Sequence, residues 1–290
     1  MPGLDTKSTC GPWRRAGPPL SRLALPILLL LIRHSGSDNY ALAEGEPSDS
    51  AAEEKLALLE WKTGLEGFNS EGALSSWTPE SEPCHDWKGI TCNAGLILTL
   101  ELASQGLRGT LPQELSALTS LQQISFKFNQ LSGPPIPSSW TALQRLMMID
   151  ATNNELTGSL LSDGGGIPPR LNTLQLQNNR IRGTLPSRLG RLQYLALGSN
   201  HLTGTLPESW SEDTGLMSIK LGDNRLRGPL PEEWSALDDL RFLELQDNRL
   251  TGQLPPGWTS LSSMRFMELF NNHLDVAQLE EVGRELGARA

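Results

Sequence analysis

The chain of 290 residues is poor in cysteine, in histidine and in positive charge, and each shortage argues against a class of function. It has three cysteines and four isolated histidines, with no HExxH, CxxC or paired-carboxylate arrangement, so metal centres and hydrolytic sites have little support. Its net charge is −9, and no basic stripe with interleaved aromatic residues occurs, which argues against nucleic acid and anionic membranes as partners. We therefore expect no catalytic residue, no metal and no cofactor.

Long hydrophobic runs are also scarce. Residues 23–32 form an apolar run of ten, whereas a membrane-spanning helix needs about 20 such residues. Arginines at 14, 15 and 22 precede this run, and Ala41-Leu42-Ala43 provides a small-x-small cleavage site after it. This pattern predicts a signal peptide over residues 1–43 and a secreted or cell-surface protein; the alternative is an uncleaved signal anchor that holds the chain on the membrane. Cleavage would leave Cys84 and Cys92, an even count that fits an oxidising compartment.

What the chain has in abundance is one motif, L-x-x-L-x-L-x-x-N-x-L-x-G, that returns about every 24 residues. Its asparagine column has Gln105 in the first copy and then Asn129, Asn154, Asn179, Asn200, Asn224, Asn248 and Asn272. The steps between these positions are 24, 25, 25, 21, 24, 24 and 24 residues. This is the signature of leucine-rich repeats, and it covers residues 95–274.

The repeat predicts an α/β solenoid: a right-handed leucine-rich repeat superhelix of about eight coils. The leucine columns face inward, and stacking joins them into one core. The L-x-L step is a short strand, so the strands stack into a parallel sheet on the concave face. The asparagines lie where the chain turns away from the strand, and we expect them to form a structural ladder that bonds unpaired backbone groups.

Both ends of the chain depart from the repeat. Residues 44–52 read as a solvated linker, and Ser50 to Glu53 match a capping box before a helical pattern at Leu56, Leu59 and Leu65, within an N-terminal cap over 53–94. Residues 275–290 predict a C-terminal helical cap, with apolar residues spaced by three and four along one face. Such segments can shield the open ends of a solenoid core.

Residues 55–102 resemble the N-terminal cap of plant leucine-rich repeat extracellular proteins, whose motifs are A-L-L-x-F-K, L-x-S-W and P-C-x-W-x-G-V-x-C. The matching positions are Trp61, Trp77, Cys84, Trp87, Gly89 and Cys92. The repeats also carry the plant-type L-x-G-x-L-P extension, as in 182–186 and 203–207. The resemblance implies a disulfide between the two cysteines and a tryptophan packed on the first coil.

The chain departs from that family in two respects. No kinase region follows the repeats, so we expect a recognition protein rather than a complete receptor kinase. Tryptophans in a P-x-x-W pattern, at 140, 210, 234 and 258, resemble those in repeats of green algae and protists. Leucine takes the same place in other coils, which favours burial of this column, with a carbohydrate-binding platform as the alternative.

The concave face is where the architecture binds partners, because its outward positions lie side by side. Aromatic and charged residues gather there toward the C-terminus, and we predict a ligand-binding surface of Tyr194, Lys220, Phe242, Glu244, Phe266, Glu268 and Phe270. The alternative for Phe266 and Phe270 is burial beneath the C-terminal helix. The expected partner is a protein or peptide, with a membrane receptor among the candidates; the alternative function is a structural component of a cell wall or matrix.

Overall fold

The computed structural model describes residues 49–161, 166–213 and 215–275. The expected signal peptide, nearly all of the expected linker and the C-terminal cap after Asp275 lie outside these ranges. Within them, no helix is long and apolar enough to cross a membrane.

The N-terminal cap begins with the α-helix α1 (Asp49–Gly64). It starts earlier than expected, so Ser50 lies inside the helix and residues 49–52 are not linker. No proline or glycine separates Pro47 from Gly64, which leaves nothing to stop the helix from extending back. The expected apolar face is also wrong at Leu56, which is 66% exposed. The helix instead buries Glu54, Leu58 and Trp61, spaced by four and three.

Aromatic packing and one disulfide hold the cap together. Trp77 and Trp87 stack with ring centroids 4.8 Å apart, and Trp61 packs 5.4 Å from Phe126 of the second coil. A 3₁₀ turn at Ala73–Ser76 lies between α1 and the sheet. The Cys84–Cys92 disulfide is present, as the resemblance implied. Trp61 thus joins the cap to the second coil, whereas the Trp77–Trp87 stack and the disulfide hold the cap itself together.

Nine strands form the main sheet, and they pair in chain order. The first pair is antiparallel and the others are parallel. The strands are β1 (Ile90–Asn93), β2 (Leu96–Glu101), β3 (Gln123–Ser125), β4 (Met148–Asp150), β5 (Thr173–Gln175), β6 (Tyr194–Ala196), β7 (Ser218–Lys220), β8 (Phe242–Glu244) and β9 (Phe266–Glu268). The predicted solenoid is confirmed, with one parallel strand for each of the eight coils.

Away from the main sheet, every coil has a second short strand, and five of the coils continue into a 3₁₀ turn within the described residues. The strands are Arg108–Thr110, Gln130–Ser132, Thr157–Ser159, Arg180–Thr184, His201–Thr203, Arg227–Gly228, Arg249–Gly252 and His273–Leu274. The 3₁₀ turns are Gln113–Ala117, Ser138–Ala142, Glu208–Glu212, Glu232–Ala236 and Pro256–Ser260. Between the two sides the leucine columns are buried; in the fifth coil, Leu192, Leu195, Leu197 and Leu202 are at most 1% exposed.

The asparagine column lies inside the solenoid and bonds backbone groups of its own coil and of the coil before. Asn224, for example, accepts a hydrogen bond from the Leu202 N–H at 2.9 Å. Its amide nitrogen donates to the carbonyl oxygens of Leu197 at 3.0 Å and Leu221 at 3.1 Å. The other asparagines of the column make equivalent bonds. These bonds satisfy backbone groups that the tight turn leaves without strand partners.

Gln105 replaces asparagine in the first coil, and its longer side chain bonds the N-terminal cap as well as its own coil. Its Oε1 accepts a hydrogen bond from the Ala73 N–H at 2.6 Å, and its Nε2 donates to the Ala103 carbonyl at 2.9 Å. No coil precedes the first one, so the residue bonds the cap instead. The ladder therefore continues into the N-terminal cap.

The tryptophan column forms a second ladder on the far side of the core. Trp140, Trp210, Trp234 and Trp258 are all 0% exposed, which favours core packing over a carbohydrate platform. Each indole N–H donates to a proline carbonyl of the preceding coil's turn at 2.8–2.9 Å. In the C-terminal half the rings stack almost parallel, 5.6 Å apart for Trp210 and Trp234 and 6.0 Å apart for Trp234 and Trp258. A buried donor on every indole is thus satisfied.

Candidate functional site

The outward side chains of strands β2–β9 form a continuous surface, called here the sheet face. Successive side chains of a strand point to opposite sides, so the residues six, four and two before each asparagine point away from the core. The parallel register aligns these positions between coils: Tyr194 pairs with Ser218, which pairs with Phe242, which pairs with Phe266. Neighbouring strands lie about 4.8 Å apart, so the side chains of a column are in reach of one another.

An aromatic column stands out at the C-terminal end of the sheet face. Tyr194, Phe242 and Phe266 are 41%, 38% and 44% exposed, and Phe270, two residues after β9 ends at Glu268, is 55% exposed. Ser218 lies between Tyr194 and Phe242 in the same column and is only 5% exposed. The larger side chains therefore shelter the serine while much of their own surface stays in solvent.

A charged row runs beside this aromatic column. The Lys220 Nζ lies 2.6 Å from the Glu244 Oε1 on the neighbouring strand. Glu268 follows Glu244 in the row, is partly buried, and has no ion pair with any residue the structure describes. Among the residues that the structure describes, Glu244 thus has a cationic partner and Glu268 has none.

The sheet face has shallow depressions. One, of about 280 Å³, is lined by Gln177, Gly198, Gly222, Lys220 and Glu244 among others. The Gln246 side chain lies directly over Gly222, where any Cβ would collide with it. Gln246 thus fills the space that Gly222 leaves open, and the lining of the depression is polar.

The second depression, of about 330 Å³, lies over the first three coils and is acidic. Glu101, Lys127 and Asp150 line it. Asp150 is 5% exposed, accepts a hydrogen bond from the Thr152 N–H at 3.1 Å, and lies 3.9 Å from the Lys127 Nζ. It is an outward position by sequence, but its neighbours cover it.

Phe128 is an exposed aromatic residue that the repeat pattern did not single out. It lies one position before Asn129, where every coil places a residue at positive φ; the others are serine, asparagine or aspartate. Phe128 has φ 59° and is 56% exposed. Bulky residues rarely adopt this conformation, so a signal was available in the sequence: a phenylalanine in a column of small polar residues.

The structure thus brings the predicted residues Tyr194, Phe242, Phe266 and Phe270 to one exposed surface, with Lys220, Glu244 and Glu268 beside them. Across residues 49–161, 166–213 and 215–275, no group of three or more His, Cys, Asp or Glu side chains could hold a metal ion. The surface offers apolar area, charge and hydrogen-bonding groups on rigid strands, which is the chemistry of non-covalent binding.

Comparison with protein families identifies three segments of this chain. Residues 51–93 match the leucine rich repeat N-terminal domain, and residues 170–192 and 190–250 match leucine rich repeats. Pollen receptor-like kinase 1 of Arabidopsis thaliana is 34% identical over 111 residues, which are 38% of this chain and 15% of that protein. The chain covers 6–15% of the length of the first curated relatives it matches.

Solved structures share the solenoid. The PEPR1–AtPEP1 crystal structure aligns with a TM-score of 0.68 and 29% identity, over 76% of this chain and 32% of the other. The Arabidopsis receptor kinase HAESA, crystallised with the peptide hormone IDA and the co-receptor SERK1, aligns with a TM-score of 0.63 and 28% identity, over 77% of this chain and 42% of the other.

Proposed function

We propose that this leucine-rich repeat protein is a recognition module that binds a protein or peptide on the sheet face. Its N-terminal domain and its repeats are homologous to those of plant leucine-rich repeat receptor kinases. Its role in this proposal is binding without catalysis. The observation that carries the proposal is the exposed aromatic column of Tyr194, Phe242 and Phe266 on strands β6, β8 and β9 of one sheet.

Folding does not account for the exposure of these rings. The core is already filled by leucines and tryptophans, and the aromatic column lies on the other side of the strands. Exposed aromatic clusters of this kind commonly mark interaction sites, and rigid aromatic residues supply a large share of interface energy. The ligand class follows from the relatives, since the HAESA structure contains a peptide hormone and a co-receptor protein.

We also infer that the protein acts outside the cell or at its surface. The Cys84–Cys92 disulfide favours an oxidising compartment. The sequence before residue 44 has the order of a signal peptide, with arginines, an apolar run and Ala41-Leu42-Ala43. N-terminal sequencing of the protein from its native source should begin at Glu44; a cytosolic protein that begins at Met1 would contradict the inference.

A peptide selection tests the binding proposal directly. The intact chain is used to select binders from a phage-displayed library of random twelve-residue peptides, and dissociation constants of the recovered peptides are measured by calorimetry. Tyr194→Ala and Phe242→Ala should each weaken binding by about thirtyfold, equivalent to about 2 kcal/mol. Neither should lower the thermal midpoint by more than a few degrees, because neither ring belongs to the core.

Leu56→Ala is the matched control. Leu56 is 66% exposed on α1 and lies in the cap rather than on the sheet face, so its truncation removes exposed apolar surface elsewhere. Binding should not change with this variant. If Leu56→Ala weakens binding as much as Phe242→Ala does, or if neither aromatic substitution matters, recognition does not take place on the sheet face.

A further inference from the structure

We propose that the C-terminal end of the sheet face receives a lysine or arginine side chain of the ligand, with an apolar ligand residue beside it. Glu268 is the charge partner, and Phe242, Phe266 and Phe270 form the apolar wall. This inference rests on the proposed function, because it specifies the ligand chemistry of the same face.

The charge argument begins with the row of Lys220, Glu244 and Glu268. Lys220 and Glu244 neutralise each other across neighbouring strands at 2.6 Å. Glu268 is partly buried yet lacks a cationic partner in the described part of the chain. A partly buried carboxylate gains from an added cation more than a fully solvated one does, since less water screens the pair. Glu268 is therefore the charged residue of this row without an ion pair among the described residues, and its charge is negative.

The aromatic residues around Glu268 favour a cationic side chain with an aliphatic stem. Phe266 and Glu268 are alternate residues of β9, so their side chains leave the same face about 7 Å apart, and Phe270 follows two residues after the strand ends. Phe242 is paired with Phe266 on the neighbouring strand. A cation over an aromatic face within about 6 Å of its centre is attracted to the ring. A lysine or arginine that reaches Glu268 thus meets a carboxylate and aromatic rings together, and its aliphatic stem lies along apolar surface.

Two arginines lie immediately before strands β8 and β9, next to the aromatic residues. Arg241 and Arg265 immediately precede Phe242 and Phe266, are exposed, and form no ion pair within residues 49–161, 166–213 and 215–275. At the start of each of these two strands the residue order is therefore basic, aromatic, apolar, acidic. This polarity orients the ligand, because its basic side chain is repelled from the arginine side and directed toward Glu268.

Charge also selects the occupant. The chain carries 33 acidic and 24 basic residues, so a second copy would bring more negative charge to a negative site. The chain's own residues 276–290 include three glutamates and two arginines, which gives them a net charge of −1 as well. A separate basic, apolar-rich peptide segment fits the site best, and long-range attraction to the acidic protein would speed its arrival.

Glu101 offers a matched control in the same column at the opposite end of the sheet. It too has no ion pair in the part of the chain that the structure describes, and it is exposed. Its neighbours on the strand face are Thr99 and Ala103 rather than two phenylalanines. Glu101→Gln and Glu268→Gln therefore make the same charge change in the same column, with and without an aromatic wall.

The test uses the peptides selected from the twelve-residue library on the intact chain. Recovered sequences should be enriched in a lysine or arginine within about two residues of an aromatic or branched aliphatic residue. Glu268→Gln should weaken their binding at least tenfold, and Glu101→Gln less than twofold. Raising the salt concentration should weaken binding to the unmodified chain more than binding to Glu268→Gln, since salt screens the pair that the substitution removes. Circular dichroism spectra of both variants check that the fold is unchanged.

Three results would overturn the inference. Suppose that the selected peptides bind and that Phe242→Ala weakens their binding. If they then show no enrichment in lysine or arginine, or if Glu101→Gln and Glu268→Gln weaken their binding equally, the inferred basic ligand residue is wrong and the proposed function stands. If no peptide binds, or none responds to the aromatic substitutions, the proposed function itself fails. If a synthetic peptide of residues 276–290 competes with the selected peptides for the intact chain, the chain's own C-terminal segment is the occupant.

Discussion

Removal of one rung of the asparagine ladder should cost far more in the middle of the solenoid than at its end. Asn224 and Asn272 make the same set of bonds, each accepting one backbone N–H and donating to carbonyls of its own and the preceding coil. They differ in burial, because Asn224 is 8% exposed while Asn272, in the last described coil, is only partly buried. Substitution of these two asparagines therefore compares the loss of the same hydrogen bonds in a buried and in a partly exposed position.

The magnitude follows from the groups left without partners. Asn224→Ala leaves the Leu202 N–H and the Leu197 carbonyl without their side-chain partner inside the core. An unsatisfied buried polar group costs about 1–3 kcal/mol, so the interior substitution should cost about 4 kcal/mol in total. Water can reach the equivalent groups at Asn272, and the cost there should be about 1 kcal/mol.

Urea unfolding followed by tryptophan fluorescence measures the difference. With a denaturant dependence of about 2 kcal/mol per molar urea, Asn224→Ala should lower the midpoint by about 2 M, and Asn272→Ala by roughly 0.5 M. Hydrogen exchange at the Leu202 amide should rise sharply in the interior variant alone. Equal midpoints for the two variants would refute the reasoning, because the ladder would then act through its bonds irrespective of burial.

Three further outcomes follow from other residues. Burial raises the pKa of the Glu54 carboxyl, and a hydrogen bond from the Ile97 N–H partly offsets this rise, so the group's contribution to stability is complete below pH 4.5 and is lost as pH rises through the folded pKa. Glu54→Gln should therefore raise the thermal midpoint at pH 7 and flatten the decline of the midpoint between pH 4 and 7. An unchanged pH profile of the thermal midpoint would contradict this. Phe128→Asn should stabilise the protein by about 1 kcal/mol in urea unfolding, because asparagine tolerates positive φ, and Asn153→Phe at the equivalent place should destabilise it. If Phe128→Asn instead lowers the free energy of unfolding, the Phe128 ring contributes packing. Cys92→Ser should raise hydrogen exchange mainly in residues 55–105, since the disulfide closes a short loop in the cap, and a uniform rise along the chain would argue against a local role.

The sequence was sufficient for the fold because its repeat is nearly regular. The leucine columns and the Asn column recur at fixed spacing, and every parallel strand falls where the L-x-L step places it. The cysteine pair was foreseen through resemblance. The start of α1 was not, since helix ends depend on the absence of a stop signal as much as on the presence of a cap.

The site was less predictable, because the exposure of an outward residue depends on side chains from neighbouring coils. Ser218 and Asp150 occupy outward columns and are buried by larger neighbours. The Lys220–Glu244 pair joins residues 24 positions apart, and the side chain of Gln246 occupies space that Gly222 leaves open. Such contacts run across coils, where a linear pattern gives the column of a residue but not the volume around it.

The tryptophan stack has an optical consequence. Indole rings that are fixed in a packed core are optically active, so Trp210, Trp234 and Trp258, stacked at 5.6 and 6.0 Å, should contribute a near-ultraviolet circular dichroism band that is lost with their packing. The three rings span three consecutive coils of the C-terminal half, whereas Trp61, Trp77 and Trp87 belong to the cap. That band is a reporter built into the half of the solenoid that carries Phe242 and Glu268, and it allows order there to be followed without any added label.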